Sequence, residues 1–232
     1  MISNSYDKIS HMITYSKANL SEIVVSYIKN KILTGELKSG DRLVETDVSE
    51  ELQISRAPIR EALRELNMRG ILTFSPKKGS QILEMDYEDI TEVFSIRIPL
   101  EMQILTIIFE KSLLQEQDLD YLETLNNDMI KSDSDNVIGD KEKNFIFNSN
   151  DLAFHEFFWK KSKSFRRAEI LENQYFQLLI AMNKDISTLG IKKEKFDEHK
   201  LIIDACRSGS LEKTLYAFQN HMNSYLKAVK DL

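Results

Sequence analysis

The sequence predicts a mainly helical protein in two parts: an N-terminal winged helix-turn-helix with a small β-hairpin wing, then an all-helical antiparallel bundle. Three observations carry this. Only three prolines and seven glycines interrupt 232 residues, so helices can run long before a breaker ends them. Between Leu43 and Leu72 a short acidic helical segment stops, a tight turn follows, and a second helical segment opens with arginines in its first two turns. After Met85 the apolar residues recur at helical spacing almost to the end. A hydrophobic content of 42% suffices for one generous core or two modest ones. The expected units are 1–84, whose first 18 residues form a flexible arm, and 86–232.

Residues 1–18 are polar, mixed and without clean periodicity. From Leu20 to Leu33, Ile23, Val24, Tyr27, Ile28 and Ile32 follow helical spacing, and Thr34-Gly35-Glu36 ends that helix. Gly40-Asp41 marks a turn, and Val44–Leu52 forms a second, shorter helix. Ser55 is expected to cap a third, with Pro58 tolerated in its first turn. This helix runs to Met68 or Arg69, and Gly70 stops it. Ile71–Phe74 and Gln81–Leu83, separated by Ser75-Pro76-Lys77-Lys78-Gly79-Ser80, read as a hairpin. Helices then follow near 87–110, 115–132, 141–162, 165–188, 192–207 and 210–230. The polar run Ser132–Asn136 is a loop, and Ser208-Gly209-Ser210 breaks the chain before the last helix.

The net charge of −6 is unevenly spread: residues 1–84 carry +1 and the remainder −7. A basic face on the first part can still meet phosphate, because the interaction is local and screened beyond about 8 Å. One cysteine, Cys206, excludes an internal disulfide and fits a reducing compartment. The sequence shows no signal peptide and no apolar run of membrane-spanning length, so we expect a cytoplasmic protein with no membrane partner.

Arg56, Arg60 and Arg64 recur every four residues and so form one stripe on the third helix, while Ile59, Leu63 and Leu66 face inward. A helix N-terminus favours phosphate through its free N–H groups and dipole, and the arginine fork suits guanine edges or phosphate. Lys77 and Lys78 beside Gly79 put positive charge on a tip narrow enough to reach a groove. The competing account is a solvated helix whose Arg60 and Arg64 pair with Glu61 and Glu65. Ser55, the preceding helix and the wing together favour contact with double-stranded DNA.

The segment Gly40–Leu72 resembles the N-terminal domain of the GntR family of bacterial transcription regulators. The matching residues are Gly40, Arg42-Leu43, Glu45, Leu52, Ser55-Arg56, Pro58-Ile59-Arg60-Glu61-Ala62-Leu63, Leu66 and Gly70-Ile71-Leu72, with Gly79 in the wing. The resemblance implies a homodimer on a palindromic operator, with Arg56 and Arg60 as base- or phosphate-contacting arginines. The DNA-binding set is then Arg42, Ser55, Arg56, Ala57, Arg60, Arg64, Lys77, Lys78 and Gly79. Gln53 stands where the family usually has glycine, and Ala57 where threonine is common.

In the second part, polar residues occupy core positions. Asp151 and His155 project together at i, i+4 spacing between Phe147 and Phe158. His199 lies on the stripe Phe196, Ile202, Ile203 and Cys206, and His221 on the stripe Phe218 and Tyr225. Burying such groups unpaired costs roughly 1–3 kcal/mol each, so they need partners. One account bonds each histidine to a core carbonyl. The other gives all four a shared divalent metal, zinc foremost, with nickel, manganese and iron as alternatives. His11, in the arm, receives no role. Residues 86–230 are similar to the effector domain of the FadR-type branch in its metal-binding FCD form, through Arg97-x-x-Leu100-Glu101, Asp151-x-x-x-His155, Glu198-His199-x-x-Ile202-x-x-Ala205, Gly209 and His221. That resemblance implies an aspartate and three histidines holding the ion, with open positions that receive a small organic acid.

Arg97 shares an apolar face with Val93, Leu100 and Ile104, four residues before Glu101. It reads either as a helical Arg–Glu pair or as a partly buried cation that meets an effector carboxylate. Trp159 and Phe157-Phe158 read as core or dimer packing. The expected function is a metabolite-responsive transcription regulator, a repressor by resemblance, that binds DNA, a small carboxylate and a second copy of itself, and catalyses nothing. The rivals are a metal-dependent hydrolase fused to a DNA-binding head, with Glu101 or Glu198 as acid or base, and a ligand-free architectural DNA-binding protein.

Overall fold

Helix α1 (Leu20–Leu33) buries Val24, Ile28 and Ile32 completely, and the head is assembled on that stripe. The computed structural model describes residues 20–189 and 192–230, and their side chains apart from 184–195 and 228–230. The proposed arm at 1–18, with His11, lies outside the described residues. After α1 come β1 (Arg42–Leu43), α2 (Glu45–Leu52), α3 (Arg56–Met68), β2 (Leu72–Ser75) and β3 (Gly79–Ile82). Six helices follow: α4 (Tyr87–Glu110), α5 (Glu116–Ser134), α6 (Asp140–Lys161), α7 (Phe165–Leu189), α8 (Lys192–Arg207) and α9 (Leu211–Lys230).

Helix α3 turns Ile59, Ala62, Leu63 and Leu66 inward against α1, α2 and β2, which leaves its arginine face to solvent. Ser55 does occupy the N-cap position, in extended conformation, but its side chain makes no capping hydrogen bond. One of the two donors open to a capping hydroxyl is missing, because the third helical residue is Pro58, which has no N–H. At the other end Ile71 N–H bonds Leu66 O across Gly70, whose φ of +68° suits a residue without a Cβ.

The wing has three strands rather than two, in the order β1-β3-β2, all antiparallel. Arg42 and Leu43 pair with Gln81 and Ser80, although sequence analysis places only a turn there. Two residues carry no readable period, and their partners lie almost forty positions downstream. The hairpin is also tighter than expected: Ser75 pairs with Gly79, so the turn is Pro76–Lys78, closed by Lys78 N–H to Ser75 O at 3.2 Å.

In the bundle α4 packs on α6, α7 and α9, α5 on α6 and α8, and α8 on α9. The cap of α4 is a reciprocal pair, with Asp89 N–H donating to Asp86 and Asp86 N–H to Asp89, at 2.9 and 3.1 Å. Pro99 sits within α4 at an exposed position.

Head and bundle meet where α1 lies on α6 and α7. The carbonyls at the C-terminal end of α1 accept side-chain amides from the bundle: Asn183 Nδ2 donates to Ile32 O and Asn148 Nδ2 to Leu33 O, both at 2.7 Å. Lys29 pairs with Glu172 at 2.5 Å. Gln177 Nε2 donates to Arg69 O at 3.3 Å and comes so near Gly70 that a Cβ there would stand 2.5 Å from it.

Candidate nucleic-acid interface and metal centre

Arg56, Arg60 and Arg64 are all exposed on one face of α3, as are Ser55 and Ala57 at its start. Arg60 does not pair with Glu61 or Glu65. Its Nε donates to Glu45 Oε2 of α2 at 2.7 Å, while Glu65 binds Arg69 at 2.7 Å. The Arg60 fork is therefore held by a neighbouring helix yet remains half in solvent, an arrangement that presents its other N–H groups outward. Lys77 and Lys78 are exposed at the wing tip, and Gly79 has a φ of +77°. A Cβ at Gly79 would lie 3.8 Å from Arg42 Nε, so Arg42 of β1 adds a third cation beside the tip. Between wing and α3 runs a groove of about 500 Å³ lined by Glu45, Arg60, Leu63, Arg64, Asn67, Phe74 and Ser80. Phe74 is 65% exposed there, a large apolar group that the sequence reading did not single out.

The second constellation is interior. His155 on α6, His199 on α8 and His221 on α9 are each at most 2% exposed, and one ring nitrogen of each lies within 4.8 Å of the others. His155 Nε2 and His221 Nε2 are 3.3 Å apart. That is close to the spacing of two nitrogens each about 2.0–2.1 Å from one tetrahedral ion. Asp151, one turn before His155, sets Oδ1 3.4 Å from His199 Nε2, while its Oδ2 accepts the Tyr175 hydroxyl of α7 at 2.8 Å. Burial, reinforced by the Asp151 carboxylate, raises the Tyr175 phenol well above its ordinary value, so it stays a donor. Phe154 stacks on His199 at 4.1 Å, and Phe158 and Phe218 close the apolar shell.

His221 Nδ1 lies 2.8 Å from Glu198 Oε2. A carboxylate only accepts, so this nitrogen carries a proton, and in the neutral ring Nε2 then keeps its lone pair toward the other histidines. Three imidazoles and a carboxylate, with a second carboxylate orienting one ring, form a donor set suited to a divalent ion.

Beside the histidines lies a buried ion pair. Arg97 Nε bonds Glu101 Oε1 at 3.2 Å, and Trp159 Nε1 donates to Glu101 Oε2 at 2.8 Å. Glu101 is fully buried and stands 3.9 Å from His155 Nδ1. Burial raises its carboxyl, against the pull of Arg97 and the Trp159 hydrogen bond. The helical-pair account of Arg97 is thus present, but incomplete: its buried Nη2 has no hydrogen-bond partner among the described residues. Its guanidinium also lies 5.4 Å from the Tyr175 ring centroid. Trp159 is more than packing, since it is tied to Glu101. Tyr175 was missed because nothing in an apolar helical run marks one hydroxyl as a partner for an aspartate on another helix.

An arginine-faced helix, a basic wing and a helical bundle with a polar interior together define a winged helix-turn-helix regulator. Residues 20–82 match the family model "Bacterial regulatory proteins, gntR family" and residues 92–224 match the FCD domain. The chain belongs to the gntR family of bacterial regulatory proteins and carries an FCD domain. It is 27% identical over 233 residues to the uncharacterized HTH-type transcriptional regulator YcbG of Bacillus subtilis (strain 168), covering 94% of this chain and 91% of that one. It is 24% identical over 231 residues to the gluconate operon transcriptional repressor of the same organism, covering 94% and 88%. E. coli McbR/YncC shares the fold, with a TM-score of 0.77 at 22% identity over 92% of this chain and 98% of that one. The protein is a transcription regulator, and the relatives and folds it matches are regulators rather than enzymes, which disfavours the hydrolase reading. No helix among the described residues is long and apolar enough to cross a membrane.

Proposed function

We propose that the protein is a cytoplasmic, homodimeric repressor whose bundle holds a divalent ion through Asp151, His155, His199 and His221, and that a small carboxylate bound there alters operator affinity. Residues 1–84 then form the DNA-binding unit, with Arg42, Ser55, Arg56, Ala57, Arg60, Arg64, Lys77, Lys78 and Gly79 facing a palindromic operator, and 86–232 the sensing and dimerising unit. The observation that carries the reading is the buried histidine cluster beside the Arg97 guanidinium, whose Nη2 is left over after Glu101 is bound. When bound, a divalent ion that takes more than four ligands would keep positions beyond these four for a carboxylate oxygen. Arg97 answers the remaining charge, Tyr175 and Glu198 orient Asp151 and His221, and the aromatic shell excludes water. The repressor sign is supported by the relative named for repression of the gluconate operon.

The seam between bundle and head supports communication. Tyr175 Oη contacts both Asp151 Oδ2 and Asn148 O, at 2.8 and 3.1 Å, and Asn148 in turn grips Leu33 O of α1. A shift of Asp151 on α6 is therefore felt one turn away, where the head is held. An effector that favours one of two head placements changes the match to half-sites about one helical turn apart.

The test is a thermal-shift screen of small metabolic carboxylates on zinc-loaded protein, followed by operator binding with any acid that stabilises it. The expected result is an acid that stabilises the protein only with metal present and changes operator affinity. Arg97→Ala is expected to weaken that acid while sparing zinc. Zinc stoichiometry unchanged in Ala variants of all three histidines overturns the metal; operator affinity indifferent to every stabilising acid overturns the sensor.

A further inference from the structure

We infer that Glu198 is a positioning residue for the histidine cluster, and that the groove between α8 and α9 is the route by which a divalent cation reaches it. This rests on the metal reading proposed above. Glu198 stands between two environments: its side chain is 20% exposed, while the His221 ring it binds is 1% exposed. A neutral imidazole has one N–H. By accepting a hydrogen bond from Nδ1 at 2.8 Å, Glu198 leaves the Nε2 of a neutral His221 as a lone pair, aimed where His155 Nε2 lies 3.3 Å away. Removing that acceptor removes the bond that holds the N–H at Nδ1, and the other tautomer turns an N–H toward the cluster.

Glu198 and His221 also form part of the wall of a surface groove of about 370 Å³, with Leu201 and Asp204 of α8 and Lys213, Tyr216 and Ala217 of α9. Leu201 and Tyr216 are 61% and 69% exposed at its rim. The other acid, Asp204, is already engaged by Lys200 and Arg207, at 3.6 and 3.9 Å. Glu198 is therefore the carboxylate that an entering cation meets next to a cluster histidine. With two acids, Glu198 and Asp204, against one base, Lys213, the lining keeps an acidic excess, which concentrates cations locally and speeds their arrival.

The experiment is zinc binding to the purified full-length protein, with the dissociation constant read by competition with a chromogenic chelator and the association rate by stopped flow. Glu198→Ala is expected to raise the dissociation constant about 10–100-fold, the usual effect of removing a carboxylate behind a ligating histidine. Glu198→Gln keeps an acceptor oxygen and recovers part of the loss; it also carries the test should the alanine variant fold poorly. Leu201→Lys, at the exposed rim, is expected to slow zinc association several-fold at low salt, whereas Thr73→Lys on the wing leaves it unchanged. A purely structural Glu198 lowers the melting temperature of the metal-free protein without moving zinc affinity, and that result overturns the positioning role. Wild-type association by Leu201→Lys overturns the route. Failure of the wild-type protein to take up zinc overturns the metal reading itself, and is seen before any variant is made.

Discussion

The head and the bundle display their charged groups in opposite ways. In the head Arg56, Arg60 and Arg64 stand on an exposed helix face, and Lys77 and Lys78 on an exposed turn. In the bundle Arg97, Glu101, Asp151, His155, His199 and His221 are all 8% exposed or less. The first arrangement separates function from folding, since an exposed arginine can be removed without opening a core. The second joins them: each buried polar group was desolvated when the bundle formed and is tolerated only with its partners in place.

Substitutions that test this contrast differ in size. The largest effect is expected from Glu101→Ala, which leaves Arg97 buried with its counter-charge gone. It is expected to cost about 3–5 kcal/mol in urea denaturation, whereas Arg56→Ala stays within about 0.5 kcal/mol of wild type. A small loss for Glu101→Ala would mean that water enters the site freely, and the contrast would fail. Next is metal itself. Zinc at about 100 times its dissociation constant is expected to stabilise the protein by about 2.7 kcal/mol, an effect reversed by chelator and absent in His155→Ala. Arg56→Ala and Arg60→Ala are each expected to weaken operator binding by about 1–3 kcal/mol in fluorescence anisotropy, with sequence preference relaxed if they read bases. Loss that is uniform across sequences reassigns them to phosphate. The smallest effect is at Gln53, which closes α2 with a φ of 54° where the family usually carries glycine. Gln53→Gly is expected to stabilise the head by about 1 kcal/mol or less, because a left-handed conformation is strained for a residue with a Cβ.

Much of the candidate site was legible because helices repeat. The spacing of Asp151 and His155 places both on one face, and the apolar stripes around His199 and His221 point those rings inward. The arginine stripe on α3 was read in the same way. What periodicity does not carry is partnership. Arg60 meets Glu45 rather than a neighbour on its own helix. Glu101 is shared by Arg97 and Trp159, and Tyr175 answers Asp151. Ser55 illustrates the reverse error, because its residue type suits a cap but its side chain makes no capping bond, and Pro58 removes one of the donors a cap can use.

The amino-acid order alone determined where helices begin and end to within a residue or two, which of their faces are apolar, and which charged or titratable side chains share a face, because these follow from interactions within a few residues. The loop expected at Ser132–Asn136 is too long, since α5 continues to Ser134. Tertiary packing alone decided that Arg42–Leu43 becomes an edge strand, that three histidines from three helices converge within 4.8 Å, and that Asn148 holds the end of α1. Those contacts join residues tens of positions apart. They exist only once the apolar faces have been buried together and the polar groups carried inside must find one another.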